Sequence, residues 1–189
     1  MRRLLTGVVL AAALSACGSR VATEPSPSVG EAAPYHVTPG VALRPKPIPA
    51  VRPTTFNLFG VRADVVPVVP VGTTLTPPSD PLELGWWGRK AGSKQGVTLL
   101  IGHTVHTGHG GALDHLNRVP VGTIGRVSGV RYQVIRNVPM SKKVLAVRSP
   151  HLFSQTGQPL LVVVTCLLSS YDPATGEYAK NDVLIARPL

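Results

Sequence analysis

The chain has 189 residues, 43% of them hydrophobic, with a formal net charge of +10. That is enough apolar material for one domain with a sizeable core and excludes a wholly disordered protein. The 19 Lys and Arg are scattered singly or in short groups with no run of five, so a nucleic-acid face, which needs clustered cations, is excluded as well. A basic exterior of this kind suits anionic wall polymers or lipid head groups.

The N-terminus reads as an export signal. Met1-Arg2-Arg3 is a positive leader, Leu4 to Leu14 is apolar, and Leu14-Ser15-Ala16-Cys17 is a small-residue cleavage site that ends in cysteine. The apolar stretch is shorter than the roughly 20 residues that span a bilayer. Its last four residues resemble a bacterial lipobox, which would make residues 1–17 a lipoprotein signal peptide and Cys17 the site of lipidation. From residue 18 to 53 the prolines at 25, 27, 34, 39, 45, 47, 49 and 53 sit among Ser, Ala and Thr. Such a composition buries no core and favours extended backbone, so this stretch is expected to be a tether. At about 3.1 Å per extended residue it would reach roughly 100 Å.

The domain proper is expected over residues 54–189. Phe56 to Asp64 reads as strand and turn, and Val65 to Gly72 as an edge strand because proline cannot donate to a central ladder. Leu84 to Gly88 and Val97 to Ile101 are further strands, the second ending in Gly102-His103. Gly111 to Leu116 is expected to be a short helix. Gly122 to Val127, Arg131 to Asn137, Lys143 to Val147, Leu160 to Thr165 and Asp182 to Ala186 complete the strands. Many short strands between Gly, Pro and Ser turns predict an all-β barrel or sandwich.

Two of these runs lack polar alternation and read as strands buried on both faces. Val97-Thr98-Leu99-Leu100-Ile101 leads to His103, and Leu160-Leu161-Val162-Val163-Val164-Thr165 delivers Cys166. With Cys17 committed to lipid, Cys166 has no disulfide partner, so it is either inert core filling or kept for its chemistry. An ordinary thiol with a pKa near ~8.5 is mostly protonated at neutral pH, and a neighbouring imidazole would activate it and later protonate a leaving amine.

Several stretches taken together resemble the sortase family, with the actinobacterial class F type (class E/F-like) the nearest in flavour. They are Leu84-Gly85-Trp86-Trp87, Leu99-Leu100-Ile101-Gly102-His103, Gly110-Gly111-Ala112-Leu113-Asp114-His115-Leu116, Leu161 to Cys166, Thr175-Gly176-Glu177-Tyr178 and Asn181-Asp182-Val183-Leu184. The resemblance implies an eight-stranded β-barrel with one or two short helices. It also implies a cysteine transpeptidase that cleaves a threonine-containing sorting motif through an acyl-thioester on Cys166, with His103 as proton donor and acceptor, and transfers the acyl group to an amine. The implied partners are the sorting signal of exported proteins, the amine acceptor and, through the lipid, the outer face of the cytoplasmic membrane. No cofactor and no nucleic acid enter.

Sortases place an arginine at the start of the last strand, opposite the cysteine. Here that place holds Asn181 beside Lys180, while Arg187 lies six residues further on, about 20 Å along a strand. Asn181 and Lys180 are therefore the candidates for holding the oxyanion, ahead of Arg187. Thr165, Trp86, Trp87 and His106 are candidates for the substrate groove, the tryptophans having core packing as their other reading. His103, His106, His109 and His115 lie within thirteen residues, a spacing that raises a metal site, but no Cys or carboxylate set completes it apart from Asp114. Two alternatives stand beside the transpeptidase: a hydrolase of the same fold, and a non-catalytic, metal-binding envelope lipoprotein.

Overall fold

The computed structural model describes residues 49–106 and 109–189. The signal peptide, Cys17 and nearly all of the expected tether lie outside the described residues, and so does the side chain of His106. The described residues all belong to one compact unit, which carries the site.

The strands are β1 (Thr55–Leu58), β2 (Val61–Pro67), β3 (Leu84–Gly88), β4 (Val97–Ile101), β5 (Val105–His106), β6 (His109–Gly110), β7 (Ile124–Val127), β8 (Val130–Ser141), β9 (Leu160–Cys166), β10 (Tyr171–Asp172), β11 (Glu177–Tyr178) and β12 (Lys180–Pro188). One α-helix, α1 (Lys142–Arg148), and short 3-10 turns complete the described elements. Eight strands close a barrel in the order β1-β2-β3-β4-β9-β12-β8-β7, β7 pairing back onto β1. The pairs β2/β3 and β4/β9 are parallel and the rest antiparallel. The all-β architecture is thus a closed eight-stranded barrel with few helices, which leaves no edge for aggregation.

Two apolar clusters explain the strands that lack alternation. One joins Leu100, Leu161, Val163, Leu184 and Ala186 to Phe56, Leu58, Val127 and Val134. The other joins the intervening residues Val97, Leu99, Ile101, Val162, Val183 and Ile185 to Leu145 of α1 and to Leu152. Successive side chains on a strand point to opposite faces, so β4, β9 and β12 are buried on both faces because α1 and the 3-10 turn Pro150–Phe153 cover the outer one.

Three expected elements are corrected. Val65 to Gly72 is no edge strand: β2 ends at Pro67, inside the closed barrel, where it pairs with Trp86. Proline is tolerated at this last paired position, and Val68 returns as donor, its N–H bonding Trp86 O at 2.9 Å. Lys143 to Val147 is helix and not strand, its Lys, Leu and Ala favouring helix and Leu145 supplying the anchor. Gly111 to Leu116 forms tight turns that lead into a 3-10 helix at Leu116–Arg118. Its bonds, such as Leu116 N–H to Leu113 O and Arg118 N–H to His115 O, span three residues, and Pro120 stops further winding. Barrel contacts begin at Val51, which exchanges two backbone bonds of 2.9 Å with Ala91.

Candidate active site

The last register pair between the parallel strands β4 and β9 is Ile101 with Val164. His103 and Cys166 each lie two residues beyond that pair, on adjacent chains about 4.8 Å apart. Alternation places Cys166 on the face of Val162 and Val164, and His103 follows Leu99 and Ile101 by the same count. The structure thus places Cys166 and His103 at the same end of two adjacent strands, both half-buried; Cys166 lines the cleft described below, and His103 is not among its lining residues.

Two bonds lock this end. The buried Thr165 hydroxyl donates to Gly102 O at 2.9 Å, and Gly102 N–H donates to Val164 O at 3.2 Å. His103 O accepts the Leu113 N–H at 3.0 Å, and a Cβ on Gly111 would clash with that same carbonyl oxygen. Glycine is therefore required at position 111 by close backbone approach. His103 Nε2 lies 2.8 Å from Pro78 O. A carbonyl only accepts, so Nε2 carries the hydrogen in this contact.

Cys166 opens on a cleft of about 640 Å³ lined by Trp87, Leu99, Ile101, Leu145, Phe153 and Val164 and by residues of the Pro70 to Pro77 loop. Thr165 and Asn181 line it too. Asn181 pairs directly with Cys166 across β9 and β12. Trp87 reaches the cleft, whereas Trp86 falls on the opposite face by alternation, packs on the other cluster and donates its indole N–H to Arg89 O at 3.0 Å. Trp86 is thus a packing residue and not a groove residue.

Lys180 is exposed and is not among the cleft residues, and Arg187 donates to Gln133 Oε1 at 2.9 Å towards the far end of β12. Sequence reasoning missed the lining residues Lys142, Leu145, Phe153 and the Pro70 to Pro77 loop, which only the fold brings to Cys166. In the histidine-rich loop His106 pairs with His109 across β5 and β6, and His115 Nε2 lies 3.6 Å from Asp114 Oδ2. Among the described residues no three His, Cys, Asp or Glu side chains are grouped to hold a metal.

Asp182, opposite Thr165 on β12, is 5% exposed, and burial raises its carboxyl above the ordinary range. The unfolded chain then gives up this proton first, so stability falls as pH rises from about 3.9 through the raised folded value and stays lowered above it. Asp182→Asn is expected to flatten that fall and to raise stability at neutral pH relative to the parent. Urea midpoints measured from pH 3 to pH 8 check this, and parallel pH profiles for the two proteins would refute it.

At the level of sequence no family model matches the chain and no curated protein is similar to it. Solved structures are similar in fold. The SrtA sortase from Actinomyces oris superposes with a TM-score of 0.56 at 13% identity over 77% of this chain and 88% of that one. Sortase C-3 from Streptococcus pneumoniae gives 0.53 at 14% identity over 76% and 65%. The Sortase D5 transpeptidase from Clostridium perfringens gives 0.50 at 12% identity over 71% and 77%. The chain therefore has the sortase fold, without a leaning to one class.

Proposed function

We propose that this protein is a cysteine transpeptidase of the sortase family, of the class F or related type, that acts in the cell envelope. The observation that carries the reading is that Cys166 and His103 stand at the matching ends of two adjacent parallel strands, with Cys166 opening on a cleft of about 640 Å³. The thiolate of Cys166 attacks the carbonyl carbon of a threonine in the sorting motif while its proton resides on His103. The tetrahedral adduct collapses, the carbon–nitrogen bond breaks, and the leaving amine takes the proton from His103. An acyl-thioester remains on Cys166. An incoming amine then attacks it, returns a proton to His103 and releases the thiolate; water in that role would make the enzyme a hydrolase. Asn181 donates to the oxyanion, and Thr165 and Trp87 shape the groove.

Incubating the protein with threonine-containing pentapeptides, with and without an amine nucleophile, tests this. A product that carries the amine supports transpeptidation, free acid alone supports hydrolysis, and no cleavage of any peptide counts against both.

Residues 1–17 act as a lipoprotein signal, Cys17 carries the lipid and the proline-rich stretch is the tether. No helix among the described residues is long and apolar enough to cross a membrane. Cys17→Ala is expected to shift the protein from the membrane fraction to the soluble one or to leave it unprocessed, as immunoblots of fractionated cells would register. A variant as firmly membrane-bound as the parent would remove the lipid from the account.

A further inference from the structure

Among the described residues that line the Cys166 cleft, Lys142 is the only charged one. Its position follows from the register. Asn181 pairs with Cys166 on one side and with Met140 on the other, so Cys166, Asn181 and Met140 form one row across β9, β12 and β8. Two strand spacings put the ends of that row about 10 Å apart. Lys142 follows Met140 by two residues and, though exposed, lines the same cleft.

The ammonium is tethered at the Cys166 end of the barrel. Lys142 N–H donates to Ala179 O at 3.2 Å, and its Nζ lies 5.9 Å from the centre of the Tyr178 ring. Tyr178 in turn is packed against Tyr171, ring centres 5.0 Å apart, in the small β10/β11 hairpin. That hairpin is bonded to the ends of β9 and β12 through Leu167 N–H to Lys180 O at 2.9 Å and Ala179 N–H to Ser170 O at 3.1 Å. The Tyr178 phenol is pushed up from its ordinary value by burial first and then by the charges of Cys166 and Tyr171.

Attack by a thiolate places negative charge first on sulfur and then on the carbonyl oxygen. The walls of Leu99, Ile101, Leu145, Phe153 and Val164 screen that charge less than water does, so a cation at the exposed rim of the cleft still acts on it, with a strength that salt reduces. Arg187 cannot serve, being bonded to Gln133. We propose that Lys142 is the cation of this cleft, facing the Cys166 sulfur and the oxyanion formed in acyl transfer, with the Tyr178 ring as the positioning residue that holds its ammonium there. The inference rests on Cys166 being the nucleophile.

A charge-sensitive alkylation tests it without any knowledge of the substrate. The full chain is treated with iodoacetate, an anion, or iodoacetamide, its neutral counterpart, and the rate at Cys166 is read by peptide mass. A cation beside the sulfur favours the anionic reagent, so the ratio of the two rates is expected to fall about threefold or more in Lys142→Met and to lose that difference in 1 M salt. Lys142→Arg and Tyr178→Phe, which keep the charge and the ring, are expected to keep the parental ratio, and Tyr178→Leu to fall part of the way. Thermal melts of each variant establish that it is folded. A parental ratio in Lys142→Met with Cys166 still reactive overturns the role of Lys142 and leaves the nucleophile standing. A drop in Tyr178→Phe as large as in Lys142→Met overturns the ring as the holder. Inertness of parental Cys166 to both reagents overturns the nucleophile and this inference together.

Discussion

Alanine at Cys166 is expected to abolish acyl-enzyme formation, and alanine at His103 to lower it by about 10²–10⁴-fold, the range that a positioned general acid–base supplies. Both variants should fold. Cys166 and His103 are half-buried at strand ends, and the pairing of β4, β9 and β12 depends on backbone groups that alanine retains. The buried bulk on this face comes from Leu99, Ile101, Val162 and Val183, so removing either half-buried side chain leaves the core intact. Intact mass of the protein after mixing with a cleaved peptide reads the adduct, and thermal melts read the fold. Persistence of the adduct in Cys166→Ala would place the nucleophile elsewhere. A parental rate in His103→Ala would mean that another group moves the proton.

Cys166 and His103 stand out in the sequence for a physical reason. Each stands at the end of a run buried on both faces, and such runs have no polar alternation that could be misread. The barrel itself followed from many short strands between turn residues. Local composition misled where tertiary contact decides: Lys143 to Val147 has valines at both ends of its apolar part, which suits a strand, yet the chain there coils so that Leu145 covers Val97, Leu99 and Val183. The carbonyl of Pro78 that holds His103 could not be read at all, since every residue carries a backbone acceptor and none advertises its use. Lys142 was equally hidden. It comes to the same cleft as Cys166 only through the intervening strand β12, a relation that no local spacing encodes.

Asn181→Ala is expected to slow acylation by a hundredfold or more, the effect of removing one oxyanion donor worth about 2.7–4 kcal/mol. Asn181 is the direct register partner of Cys166, lines the same cleft, and by alternation points to the face of Val183 and Ile185, where Cys166 also points. Its side-chain amide can therefore donate to an oxygen that becomes charged beside the sulfur, the role that an arginine at this place would fill by charge as well as by hydrogen bond. Lys180 is next in sequence but alternation turns it to the other face, where it is exposed, so Lys180→Ala is expected to stay near the parental rate. Arg187 pairs with Gln133, six residues along β12 from Asn181, and Arg187→Ala is likewise expected to leave acylation unchanged. Single-turnover rates of the three variants on one peptide separate these cases. A large loss in folded Arg187→Ala or Lys180→Ala with Asn181→Ala near parental would mean that the oxyanion is held from another direction, and that the amide beside Cys166 serves only to pair the strands.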